Sequence, residues 1–213
     1  AGIRKKSKIL DHAEKLSVMS SLNAIEDSQI VILMIDSEKG FQKQDANIAN
    51  IIESAGKPFV IAVNKWDLEN NKKYKRNKIE EKINEFLPQL GKISIAYISA
   101  QMNKGINKLM QLSERVDKIC DKRLSTSELN EFLIQVSKRH PHPNKNGRSV
   151  KIKYITQPKV RPSHFIIFCN YPSYIKDSYK RYLVNEIRRE FDFDGVPIRI
   201  DFRRSDNPYD PKK

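Results

Sequence analysis

The chain has 213 residues, 38% hydrophobic and 31% charged, with a formal net charge of +14 and a pI near 9.7. That length suits one large or two small domains, and the composition fits a soluble globular protein with a highly charged surface. It excludes a membrane-spanning helix, because no apolar run approaches the roughly 18 residues that such a span needs, so no membrane partner is expected. The basic excess lies on both sides of Leu124. It favours a polyanionic partner, most often nucleic acid; a lysine-rich solvated surface gives the same charge. No apolar core of a signal peptide follows Ala1-Gly2-Ile3-Arg4-Lys5-Lys6. Cys120 and Cys169 lie far apart in apolar patterns and read as core thiols of a reducing compartment, the cytoplasm.

In chain order, Ile9, His12, Ala13, Leu16 and Met19 recur at helical spacing. A strand is predicted over about 29–36, a helix over 43–54 and a second strand over 58–64. A Lys/Glu-rich helix then carries Ile79, Ile83, Phe86, Leu87 and Leu90. A short strand over about 94–99 precedes a helix with Leu109, Leu112, Val116, Ile119 and Cys120 on one face. Apolar strands alternating with amphipathic helices predict an α/β fold, a parallel sheet covered on both faces. Ligands of such sheets bind beyond the carboxyl ends of the strands.

Two motifs sit at those ends. The run Phe59–Asn64 closes on Asn64-Lys65-Trp66-Asp67. A guanine edge presents two adjacent donors, N1–H and N2–H₂, and the Asp67 carboxylate can accept both. Adenine lacks the N2 amine and turns a lone pair toward that carboxylate. Sites built around such donors reject the analogue lacking them by roughly 10⁴-fold or more. Lys65 can lay its stem over the base, and Asn64 can brace a neighbouring loop. Ser99-Ala100 ends the next strand, where a backbone N–H near Ala100 could donate to guanine O6. An ordinary strand-to-helix turn with Asp67 as a surface cap remains the alternative.

After Leu124 a second unit begins. Ser125 or Thr126 can cap a new helix, with Glu128 three residues after Ser125 as in a capping box. The helix it opens carries Leu129, Phe132, Leu133 and Val136, and His140-Pro141-His142-Pro143 ends it. The two histidines have no partners at metal-ligand spacing, so no metal site is expected there. Val150, Ile152 and Tyr154 alternate with Lys151 and Lys153, which predicts a strand with a basic outer face. A strand over 164–169 follows, then a helix with Ile175, Tyr179, Tyr182, Leu183, Ile187 and Phe191 inward and Lys180, Arg181, Arg188 and Arg189 off that face. Asp194-Gly195 is a turn, and Ile198, Ile200 and Phe202 alternate with Arg199, Asp201 and Arg203 in a last strand. Lys151, Lys153, Arg199 and Arg203 are the candidate RNA contacts, by charge along a backbone. Tyr154, Tyr179 and Phe202 fit the core stripes, with base stacking as the alternative.

Together these residues resemble the Der (EngA) family, bacterial GTPases with two tandem GTPase domains and a C-terminal KH-like domain. The resemblance rests on Ala1-Gly2-Ile3-Arg4-Lys5-Lys6, similar to the end of the family's γ-phosphate-sensing motif, and on Asn64–Asp67, Ser99-Ala100 and Tyr182-Leu183 with Arg188, Phe191, Gly195, Pro197, Ile198 and Arg199. It implies the end of a partial Ras-like P-loop GTPase domain over 1–122, a small α+β KH-like domain over 123–205 and a polar tail over 206–213. It further implies GTP or GDP as ligand with Mg²⁺ and K⁺, Gly2 and Ile3 in the nucleotide-sensing switch, and action as a monomer on the large ribosomal subunit and its rRNA. Two departures qualify it. No Gly-x-x-x-x-Gly-Lys-[Ser/Thr] loop occurs in the chain, so the machinery of phosphoryl transfer is missing and no catalytic residue is assigned. The chain is therefore expected to be part of a longer protein, inactive by itself. Neither Gly147 nor Gly195 belongs to the Gly-x-x-Gly loop with which KH modules clamp RNA.

Overall fold

A computed structural model describes residues 12–142 and 149–204, with side chains from residue 19 onward. Gly2 and Ile3 lie outside the described residues. The chain divides into two compact units. One runs to Cys120 and takes in Phe193–Pro197; the other comprises Asp121–Asp192 and the chain from Ile198 onward.

In the first unit the elements are α1 (His12–Asp27), β1 (Val31–Asp36), α2 (Lys43–Ser54), β2 (Phe59–Asn64), α3 (Lys72–Phe86), β3 (Ile95–Tyr97) and α4 (Ile106–Cys120). The strands form a parallel sheet in the order β1-β2-β3. β2 is the central strand, and Phe59 to Val63 are fully buried. Phe59, Ile61 and Val63 join a core with Ala46, Ala49 and Ile52 of α2 and Ile79 and Ile83 of α3. The opposite face of β2 and β3 is packed by α4, whose buried stripe is Leu109, Ser113, Val116 and Cys120.

The expected cover on both faces fails at β1. Ile32 and Met34 pair in register with Val60 and Ala62, yet they are 40% and 54% exposed. α4 is packed on β2 and β3, and among the described residues β1 has no strand on its outer side. Met19 of α1 is likewise exposed rather than on a packed face, and Ile25 carries the buried side of that helix. The Lys/Glu-rich helix stops at Phe86 because Pro88 cannot continue it, so Leu87 and Leu90 pack from a short 3₁₀ turn over Pro88–Leu90.

The second unit contains α5 (Thr126–Arg139), β4 (Ile152–Lys159), β5 (Ser163–Cys169), α6 (Asp177–Glu190) and β6 (Ile198–Arg204). Its sheet has the order β4-β5-β6, antiparallel between β4 and β5 and parallel between β5 and β6. The predicted capping box is formed: Glu128 N–H donates to Ser125 Oγ at 3.2 Å, and Ser125 N–H donates to Glu128 Oε2 at 2.9 Å. α5 ends at Arg139, before the His-Pro run. Asn130 of α5 ties to β4 by accepting from Ile155 N–H at 3.1 Å. Gln157 bonds back to the start of the unit, its Oε1 accepting from Leu124 N–H at 2.8 Å and its Nε2 donating to Lys122 O at 3.0 Å. Cys120 and Cys169 are buried and not joined in a disulfide.

Three details depart from the sequence pattern. A register shift falls between Ile152 and Tyr154, so Ile155, not Tyr154, enters the core, and Tyr154 is 39% exposed. One extra residue in a strand exchanges the faces of everything beyond it. Arg188 is buried although its position falls off the apolar stripe of α6; it directly follows buried Ile187, where an arginine stem can pack along the flank. Ile175 precedes α6 at the end of a 3₁₀ turn and so is not part of the helix face.

Candidate functional site

The carboxyl ends of β1, β2 and β3 come together because the strands are parallel and in register, with Asp36 opposite Asn64. After Asn64 the chain turns sharply. Lys65 takes a left-handed conformation, φ 62° and ψ 32°, and starts a 3₁₀ turn over Trp66–Leu68 that contains Asp67. A non-glycine residue holds that conformation only where its surroundings fix it. Here Ser37 Oγ, fully buried, donates to Lys65 O at 3.0 Å, Ser37 N–H donates to Asn64 O at 3.0 Å, and Trp66 N–H donates to Ile98 O at 3.0 Å. The Trp66 ring packs on Tyr97 with centroids 4.3 Å apart, and Tyr97 Oη donates to Glu80 Oε1 at 3.0 Å. Burial is the main cause that holds the Tyr97 hydroxyl protonated far above its ordinary range.

The loop after β3 is pinned just as closely. Ser99 and Lys104 exchange backbone bonds of 2.9 and 3.0 Å, which closes a tight turn through Ala100–Asn103. Gly105 follows at φ 78°, and a Cβ there would stand 2.5 Å from Tyr97 O, so only glycine fits. The two loops are joined directly: Ala100 N–H donates to Asn64 Oδ1 at 3.0 Å. Asn64 also places Nδ2 3.8 Å from Met34 Sδ. The Ser99 hydroxyl accepts from Met102 N–H at 3.2 Å and hydrogen-bonds the Asp67 carboxylate. That bond, with Asp67's own N–H and the nearby Lys104 and Lys72, lowers the Asp67 pKa and keeps it an anionic acceptor.

Asn64, Lys65, Asp67, Ser99 and Ala100 thus form one connected cluster. The Ala100 N–H, expected to face a base, is engaged by Asn64 in this structure, and the next amide in the loop belongs to Gln101. A hollow of about 260 Å³ lies beside the cluster, lined by Trp66, Asp67, Lys72, Tyr97, Ile98, Ser99, Met102 and Lys104. Only Asp67 and Ser99 of the five candidate residues line it. Lys65 points elsewhere: its Nζ lies 2.7 Å from Asp36 Oδ2 and 3.7 Å from Glu38 Oε2, with its side chain 48% exposed. The hydrogen bond to Lys65 lowers the Asp36 pKa, and the same bond raises that of Lys65. Asp36 and Ser37 were not among the sequence candidates. The signal that could have found them is the shared end of two parallel strands, where Asp36 closes the β1 apolar run as Asn64 closes that of β2.

The four candidate RNA contacts fall in the second unit. Lys151, Lys153, Arg199 and Arg203 are all exposed. Arg199 and Arg203 lie on one face of β6, level with His164 and Phe168 of β5. Lys153 sits at the register shift of β4. Among the described residues no group of three or more His, Cys, Asp or Glu side chains is placed to hold a metal ion.

A parallel sheet whose strand ends carry an Asn-Lys-x-Asp turn braced to a Ser-Ala loop defines a Ras-like GTPase domain, here partial and followed by a small α/β unit. Residues 18–119 match the elongation factor Tu GTP binding domain, and residues 123–203 match the KH-domain-like C-terminal part of EngA bacterial GTPase enzymes. Similar curated proteins include GTPase Der of Bartonella tribocorum, 43% identical over 209 residues. GTPase Der of Agrobacterium fabrum is 41% identical over 212 residues, and that of Roseobacter denitrificans 39% over 215. The matches cover 98–100% of this chain and 44% of each of those relatives. The chain belongs to the Der (EngA) family and corresponds to its C-terminal part. Two Era structures, one from Aquifex aeolicus bound to GDP and aluminium fluoride and one with MgGDPNP and nucleotides 1506–1542 of 16S ribosomal RNA, align over 97% of the chain. They are matched over 75% and 74% of their own lengths at 18% and 19% identity, with TM-scores of 0.46.

Proposed function

We propose that this chain is the guanine-reading and RNA-contacting part of a GTP-binding, GTP-hydrolysing protein that acts in the cytoplasm as a monomer in assembly of the large ribosomal subunit. The observation that carries the reading is the 3.0 Å bond from Ala100 N–H to Asn64 Oδ1, which locks the Asn-Lys-Trp-Asp turn to the Ser-Ala loop. Asp67, held anionic beside Ser99, accepts N1–H and N2–H₂ of guanine. The loop amides that follow Ser99 meet O6, and Lys65 covers the base face with its stem. Nucleotide binding then requires Lys65 to leave or share its pairing with Asp36.

The phosphate side is different. No phosphate loop occurs in the 213 residues, and Mg²⁺ or K⁺ beside the phosphates would depend on ligands from such a loop. No hydrolytic step is therefore derived from this chain. The part of its relatives that it does not span would supply that machinery, together with the rest of the switch to which Gly2 and Ile3 are assigned. The GTPase portion is proposed to end near residue 122, the KH-like domain to span 123–205 and the polar tail 206–213. In the KH-like domain, Lys151, Lys153, Arg199 and Arg203 track the rRNA backbone by charge.

A second reading, a non-enzymatic RNA- or ribosome-binding module, is favoured by the same missing loop. Nucleotide assays separate the two. A protein that carries the chain together with a phosphate loop should bind GTP over ATP, lose that binding in Asp67→Ala, and hydrolyse GTP; the chain alone should show no turnover. Hydrolysis by the 213-residue chain alone would refute the assignment of the phosphate machinery. RNA binding should weaken steeply with salt, and charge reversal at Lys151, Lys153 and Arg199 should weaken it without unfolding. A flat salt response would remove the backbone-tracking role.

A further inference from the structure

The side of the β4-β5-β6 sheet away from its buried face carries an ordered set of side chains. Register places Tyr154, Phe168 and Arg203 in one row across the three strands. Thr156, Ile166 and Asp201 form the next row, and Lys159, His164 and Arg199 the third. The alternate residues Ile155, Phe165, Ile167 and Ile200 are buried, and in the middle row Ile166 is buried as well. The Tyr154 and Phe168 rings are already stacked, with centroids 4.3 Å apart and an interplanar angle of 14°. Tyr154 is exposed on the edge strand, so the pair is accessible from solvent. The one acidic residue in the three rows, Asp201, is hydrogen-bonded with His164 Nε2 at 2.8 Å. Lys159, Arg199 and Arg203 place three cations around the aromatic pair, against that single carboxylate.

We propose that this sheet face is a stacking platform for single-stranded RNA. The occupant follows from the combination of groups. Cations alone would suit any polyanion, but a pre-stacked aromatic pair among them suits a polyanion with flat rings. Bases inside a duplex cannot reach such a pair, so the platform selects an unpaired strand. One base stacks on Tyr154 against Phe168, and Arg203, Arg199 and Lys159 meet phosphates along the strand. The proposal rests on the RNA-contacting role proposed for this unit. It adds the face, the aromatic pair and the preference for single strands, and it needs no Gly-x-x-Gly loop.

The test uses the 213-residue chain and fluorescein-labelled octamers of uridine and adenosine, with anisotropy read across a salt series. Tyr154→Ala should weaken binding roughly five-fold or more at every salt concentration. It should leave the slope of log affinity against log salt unchanged, because every cation of the face is retained. Tyr154→Phe keeps the ring and should bind as the parent does. Arg199→Glu with Arg203→Glu should flatten the slope, by about 0.7 for each phosphate no longer neutralised on a single strand. If charge reversal weakens binding while Tyr154→Ala does not, the platform is refuted and the RNA-contacting role stands. If neither substitution matters, both fall. Equal affinity for a sixteen-base-pair duplex, or displacement of RNA by polyglutamate as readily as by unlabelled octamer, would also overturn the platform. Unchanged circular dichroism of each variant guards against misfolding, and Tyr154→Phe provides a readout in which the fold is not at risk.

Discussion

Truncating Asn64 separates the two loops while sparing the residues that would touch a base. Asn64→Ala removes the acceptor for Ala100 N–H, a 3.0 Å bond between partners 36 residues apart, and the weak interaction with Met34 Sδ. Ala100 is exposed, so water can replace the missing acceptor and the penalty of a buried orphan does not arise. The cost is then the net worth of one hydrogen bond, about 1 kcal/mol. For a chain of this size that lowers the melting temperature by about 2–4 °C. The more local readout is hydrogen exchange at the Ala100 amide, which should quicken by about five-fold, the factor that corresponds to that energy. Asn64→Asp keeps an oxygen acceptor and should retain the protection of Ala100. Its charge also lies opposite Asp36 in the strand register, so its overall stability should fall even as the amide stays protected. Refutation would be simple to recognise: unchanged exchange at Ala100 in Asn64→Ala means that Asn64 does not bridge the loops.

Other consequences follow from the same cluster. Gly105→Ala forces a Cβ to 2.5 Å from Tyr97 O at a positive φ; urea unfolding should show a destabilisation of about 2 kcal/mol or more, and a neutral result would contradict the geometry of that turn. Asp36 and Asp67 both have carboxyl pKa values lowered in the folded chain, the first mainly by the bond to Lys65 and the second mainly by that from Ser99. A lowered carboxyl pKa adds stability that is full above the unfolded value and fades as pH falls through the folded one. Acid titration followed by carboxyl carbon NMR should therefore place both groups below the ordinary Asp range. Lys65→Met should move Asp36 back up and leave Asp67 in place, whereas equal movement of both would show that the two carboxylates share one cause.

Much of the geometry at the strand ends was legible because it sits at sequence punctuation. The apolar run of β2 ends abruptly at Asn64, the Ser-Ala pair follows just after β3, and the Ser125–Glu128 box opens α5 with both bonds formed. What escaped depends on relations between distant segments. Ser37 and Asp36 matter because β1 and β2 lie side by side in register, and neither residue belongs to a recognisable motif. The exposure of Ile32 and Met34 reflects which strands α4 reaches, a property that hydrophobic periodicity does not encode. Alternation from Val150 places Tyr154 in the core, but it runs straight through a register shift that turns the ring outward. Pro88, by contrast, is readable as a helix stop, and it separates Leu87 and Leu90 from the helix of Ile79 and Ile83.

Guanine reading by Asp67 can be measured on this chain without phosphates. Amide NMR spectra would be recorded as guanosine or adenosine is added at millimolar concentration to the parent and to Asp67→Ala. The account predicts shifts centred on Lys65, Asp67, Ala100 and Gln101 with guanosine only, absent in the variant. Equal responses to the two nucleosides, or guanosine shifts that survive in Asp67→Ala, would contradict it.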